Sequence, residues 1–97
     1  MLVKRKVVLA LIKKDAEAFN QVYSAYRKLL FFIIVSIVKN ETIAEDLLQD
    51  TFIKVYEAVG NLKDPDSFHS YITMTAKNLA LNELKKMRRI ESFEPLE

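Results

Sequence analysis

Residues 44–56, Ala44-Glu45-Asp46-Leu47-Leu48-Gln49-Asp50-Thr51-Phe52-Ile53-Lys54-Val55-Tyr56, separate into two faces when wound as a helix of about 3.6 residues per turn. Ala44, Leu47, Leu48, Thr51, Phe52, Val55 and, just beyond, Val59 gather on one side as a core face. Asp46, Gln49, Asp50 and Glu57 gather opposite, with Ile53 in their midst. That second face has two readings. It is a solvated surface carrying one stray isoleucine, as exposed apolar residues are common, or a docking surface for a basic partner, with an apolar centre and a charged rim.

Working outward, Thr42 with Glu45 three residues on forms a capping-box pattern, so a helix is expected to begin there and run to about Val59. Gly60, the only glycine, stands where a left-handed C-terminal cap is wanted. Upstream, Asp15 is the expected N-cap of a helix over about 16–39, with Phe19, Val22, Tyr23, Tyr26, Leu30, Ile33 and Ile37 at core spacing. This helix is expected to be the longest and most buried. A short amphipathic helix over about 3–14 precedes it, presenting Val7, Val8, Leu11 and Ile12. Downstream, Asn61 to Asp66 reads as a loop, and Asp66 or Ser67 starts a fourth helix ending near Ile90. The expectation is an all-α, compact bundle of about four helices over 1–90. The acidic, Pro-containing residues 91–97 read as the start of a linker or disordered tail.

Composition agrees with one helical domain. Ninety-seven residues, 51% of them hydrophobic, suffice for one core and are too few for two, and a single Gly with two Pro leaves little room for hairpins. The absence of cysteine excludes disulfides and thiolate metal sites and fits a reducing cytoplasm. The longest apolar run, Leu29 to Val38, falls well short of the roughly 20 residues that cross a bilayer, so no membrane partner is expected. The lone histidine, His69, is expected to be an exposed polar residue and cannot build a catalytic dyad or a His-based metal site. Asp46 and Asp50 lack the further oxygen ligands a hard cation needs. No catalytic residue, metal site or cofactor is expected, and an enzyme is disfavoured.

The net charge of +2 conceals an asymmetry. Residues 41–57 carry five acidic groups and one lysine, whereas 77–89 carry five basic groups and one glutamate. Two surfaces of opposite sign suggest two partners. On the fourth helix, Phe68, Ile72, Thr75, Ala76 and Leu79 form an apolar arc, which Met74, Leu81 and Leu84 are expected to extend. Tyr71, Asn78, Asn82, Lys85 and Arg89 fall within about 60° of one another on the same helix. Cations for phosphate, amides for a base edge and an aromatic ring for an unstacked base suit a nucleic acid. The alternative is an ordinary polar face with a basic helix end favoured by the macrodipole. Leu62 and Lys63 of the preceding loop are placed to complete a small pocket for an extruded base.

The run Ala44 to Phe52, then Tyr56, Phe68, Tyr71-Ile72 and Ala76-Lys77-Asn78-Leu79-Ala80-Leu81-Asn82, resembles the region-2 domain of bacterial RNA polymerase sigma factors of the extracytoplasmic-function group. Lys14 to Phe19, with Tyr23 and Tyr26, looks like that domain's opening. The resemblance implies that Asp46, Gln49, Asp50, Ile53 and Tyr56 dock on the β′ coiled coil of the polymerase core. It also implies that residues 60–67 receive a flipped base of the −10 element's non-template strand, with Asn78 at the family's base-contacting asparagine, and that an anti-sigma factor is a further partner. Tyr71 stands where the family usually has tryptophan, and Asn82 and Lys85 where it has aspartate and arginine. No domain that would read a −35 element is present in the 97 residues. A different class of reading is a sigma-like interaction module that binds a basic partner without initiating transcription.

Overall fold

The computed structural model describes residues 1–92 of the chain, with the side chains of Glu91 and Ser92 left aside. Four α-helices follow one another: α1 (Arg5–Ile12), α2 (Ala16–Val38), α3 (Glu41–Ala58) and α4 (Phe68–Ser92), with two short 3-10 turns, Val59–Asn61 and Pro65–Ser67, between the last two. Among the described residues there is no strand, as the all-α expectation required. α4 runs two residues into the expected linker, whose remainder, 93–97, lies outside the described residues.

The connections explain the order of the helices. α1 ends in a Schellman arrangement: Lys14 adopts φ 66°, its N–H bonds Leu11 O, and the Asp15 N–H reaches back to Ala10 O at 3.1 Å. The Asp15 carboxylate then accepts from Ala18 N–H at 2.9 Å and caps α2, as its sequence position implied. Lys39, at φ 58°, closes α2, and Asn40 opens α3 by accepting from Ile43 N–H at 2.9 Å. Asn40, rather than Thr42, is therefore the cap, because α3 already begins at Glu41 and takes Thr42 into its first turn. Gly60 is also not the left-handed cap expected of it. It lies in a 3-10 turn without positive φ, and among the described residues the two left-handed positions fall on lysines instead.

α2, α3 and α4 contact one another pairwise and enclose a single core, with α1 packed on α2. All six residues of the expected core face that lie in α3 are buried, and so is the seventh, Val59, in the turn that follows. On α2 the buried line is Ala18, Val22, Tyr26, Leu30, Ile34 and Val38. Ile33 and Ile37, expected in it, are only half-buried. A strict spacing of four drifts about 40° per step around the helix. The drift carries the α2 stripe from one neighbour to the next, as suits the one helix packed against all three others. α4 is longer than α2, 25 residues against 23, and it buries Phe68, Ile72, Ala76 and Ala80. Met74 and Leu81, expected to widen that arc, are 49% and 38% exposed.

By length and composition α2 is apolar enough to cross a membrane. Its apolar stripe is nevertheless spent on the bundle core. Arg27 and Lys28 lie exposed in its middle.

Candidate partner and nucleic-acid surfaces

The acidic face of α3 is open. Asp46, Gln49, Asp50 and Glu57 are exposed, and Ile53, one turn after Gln49 and one turn before Glu57, is 54% exposed. A β-branched side chain left half in water by a fold that buries Leu48, Phe52 and Val55 beside it contributes little to the core. It also gives the face an apolar centre.

Tyr56 continues this face and is fixed more tightly than its sequence suggests. Its ring meets Phe19 edge-on at 5.4 Å, and Lys14 Nζ sits 4.2 Å from its centroid while donating to the Tyr56 carbonyl. A cation against the last turn of α3 also complements the negative end of the helix. Ala16, Phe19 and Asn20 of α2 with Ile53, Tyr56 and Glu57 of α3 line an apolar hollow of about 330 Å³. Sequence reading missed the α2 side of this hollow, because Phe19 was assigned wholly to the core. Its one advance signal was an aromatic residue in the first turn of α2, following Lys14.

On α4, Asn78, Asn82, Lys85 and Arg89 are exposed along one line, and Tyr71 at its head is half-buried, 6.2 Å from Phe68. Burial raises the Tyr71 phenol above its ordinary pKa, so it is a neutral ring at physiological pH. The 3-10 turns hold Lys63 exposed and Leu62 half-buried against the core. Asn82, Lys85 and Arg89 share a cleft of about 430 Å³ with Leu47 and Asp50 of α3. The acidic and basic surfaces, distinct in sequence, thus meet along the α3–α4 groove.

His69 departs from expectation. Instead of standing exposed, it is half-buried, and its Nδ1 lies 2.9 Å from the hydroxyl of the fully buried Tyr26. That hydroxyl accepts from Leu2 N–H at 3.2 Å, so it links the N-terminal segment to His69. Burial raises the Tyr26 pKa, with the bond from Leu2 opposing. Among the described residues no group of three or more His, Cys, Asp or Glu side chains is placed to hold a metal.

The Sigma-70 region 2 family model matches residues 22–90, covering α3, the turns, most of α4 and most of α2. The chain belongs to the Sigma-70 region 2 family. Among curated relatives, it is 33% identical over 70 residues to the RNA polymerase sigma-H factor of Pseudomonas aeruginosa, which covers 72% of this chain and 36% of that protein. It is 26% identical over 77 residues to the RNA polymerase sigma factor CarQ of Myxococcus xanthus, covering 79% of this chain and 44% of that one. The chain therefore spans between about a third and a half of the length of these relatives. No solved structure gives a significant match. An extracytoplasmic-function assignment fits this region-2 domain and these sigma-factor relatives.

Proposed function

We propose that the chain is a non-enzymatic transcription initiation module. It docks on RNA polymerase core, at the β′ coiled coil, through Asp46, Gln49, Asp50, Ile53 and Tyr56, and takes the −10 non-template strand through residues 60–67 and α4. Residues 1–90 act as the functional unit, working in the cytoplasm where polymerase is. The observation that carries the reading is the open α3 face, where half-exposed Ile53 stands one turn after exposed Gln49 and Asp50, with Asp46 a turn before them, and one turn before exposed Glu57. An apolar centre inside a charged rim is the anatomy of a protein interface, and its acidic sign selects a basic partner. The same face is what an anti-sigma factor would have to cover.

DNA capture follows from α4. A base drawn out of its stack costs a few kcal/mol, so the domain alone should bind duplex DNA poorly and should act after polymerase has brought it to the promoter. Lys85 and Arg89 then hold phosphates, Asn78 reads a base edge, and Tyr71, partly anchored on Phe68, offers a ring edge at the fork.

The test is capture of core polymerase by wild-type and Asp50→Arg protein. Asp50 is exposed, so its reversal should leave the melting temperature within a few degrees while lowering capture at least about tenfold. Equal capture refutes the docking surface. Capture of polymerase without crosslinking to a −10 strand supports instead a regulator that binds a basic partner and does not initiate.

A further inference from the structure

We propose that the N-terminal segment, Leu2 to Arg5, is a positioning brace that sets the placement of residues 60–67, and with it the selectivity of the loop for its base; this rests on the role given to the loop above. Two contacts make the brace. The Arg5 guanidinium at the start of α1 pairs with the Asp66 carboxylate at 3.0 Å, across 61 positions of sequence. The Leu2 N–H donates to the Tyr26 hydroxyl, which bonds His69, the second residue of α4. The loop is thereby tied at Asp66, near its C-terminal end, and the start of α4 at His69, to one short segment.

The shape of the turn itself is local. The Asp64 carboxylate accepts from Asp66 N–H at 3.0 Å, and the Asp64 carbonyl accepts from the Ser67 N–H at 3.0 Å and hydroxyl at 2.7 Å. Those bonds form the turn wherever it lies. From outside the turn, α1 packs on both 3-10 turns and Leu62 rests on the core, and Arg5 is the charged group of α1 that reaches the turn.

Arg5 is also poorly placed for the sake of α1. A cation in the first turn opposes the helix macrodipole, and α1 has neither an acidic residue in its own first turn nor a side-chain cap, so the carboxylate that faces Arg5 is the one brought by Asp66. Nor is global stability the reason, since both side chains of the pair are mostly exposed, 58% and 62%, and such pairs contribute little. A residue chosen against its own helix and giving little to the core fits a role in placing its partner.

The experiment compares wild type, Arg5→Ala, Arg5→Asp, and Arg5→Asp combined with Asp66→Arg in the 97-residue chain. Amide hydrogen exchange is read on the free protein, and fluorescence anisotropy with matched and scrambled −10 strands on its polymerase complex. Arg5→Ala should raise exchange of the amides from Asn61 to Ser67 by about two- to fivefold, the factor an exposed pair supplies. Core amides of α2 and α3 should keep their protection, and the preference for the matched strand should fall by a similar factor. The charge swap should restore both, which a merely structural loss would not allow. Tyr26→Phe, which keeps the ring and removes the hydroxyl, should loosen the same loop. Unchanged loop exchange, or exchange raised equally in every helix, overturns the brace. Raised loop exchange with unchanged strand preference also overturns it, and Lys63→Ala tells why. If Lys63→Ala lowers the preference, the brace alone is wrong; if it too has no effect, the loop reading beneath it is wrong.

Discussion

Ile53→Asp separates docking from folding, and its size can be worked from exposure. Fully burying an isoleucine is worth about 1.5–3 kcal/mol. Ile53 is 54% exposed, so slightly under half of that, about 1 kcal/mol, is realised in the isolated domain. The remaining half, again about 1 kcal/mol, becomes available when a partner covers the side chain. A carboxylate there forfeits the first part on folding and the second on binding, where it also adds more than about 1 kcal/mol for taking a charge into an apolar contact, so the loss in binding should exceed about 2 kcal/mol, or about 30-fold in affinity. The loss in stability should stay near 1 kcal/mol, a fall of about 4–8 °C in melting temperature for a domain of this size. Phe52→Ala is the contrast. At 3% exposure, and within 6.3 Å of the rings of both Phe19 and Tyr23, Phe52 should cost about 3–5 kcal/mol and leave the protein largely unfolded. Thermal denaturation by circular dichroism and quantitative capture of core polymerase give the two numbers. If Ile53→Asp destabilises as much as Phe52→Ala, Ile53 is a core residue; if it folds and captures polymerase within threefold of wild type, the docking argument is refuted.

Three further outcomes follow from particular residues. Gly60→Ala should stabilise the domain by about 0.4–1 kcal/mol in urea titration, because Gly60 has no positive φ and an added Cβ meets nothing within 4 Å. A destabilising result would restore the left-handed cap. Asn40→Ala should cost about 1 kcal/mol through loss of the bond to Ile43 N–H, whereas Thr42→Ala, inside the first turn of α3, should change little; the reverse order in the same titration would reinstate the capping box. Lys85→Ala or Arg89→Ala should weaken binding of all single strands alike and lower the salt slope by about 0.7 for each phosphate no longer neutralised. Asn78→Ala should instead reduce discrimination at one −10 position by about 1–3 kcal/mol with the slope kept. Equal effects of Asn78→Ala on matched and scrambled strands would make it a structural amide.

The sequence by itself determined the elements whose signal is local. The core face of α3, Ala44 through Val55, is buried in full, because which residues share a side of one helix depends only on the helical period. For the same reason Asp46, Gln49, Asp50 and Ile53 could be placed on one open face, and Asn78, Asn82, Lys85 and Arg89 on another. The Asp15 cap was legible too, since a cap and its N–H lie three residues apart. Helix starts were less so: Asn40 and Thr42 both carry capping side chains, and the choice depended on how closely α2 turns back into α3. What tertiary structure decided is everything that joins distant positions. Ile34 and Val38 replaced Ile33 and Ile37 because α2 must face three neighbours in succession, and a period cannot report how many neighbours a helix will have. Met74 and Leu81 stay exposed because, among the described residues, α4 turns the side carrying Phe68, Ile72, Ala76 and Ala80 to the helices it packs on. His69 found Tyr26 across 43 positions, and Arg5 found Asp66 across 61. Asp50 came to line a groove with Lys85 and Arg89 because α3 and α4 pack together, and no spacing along the chain encodes that distance.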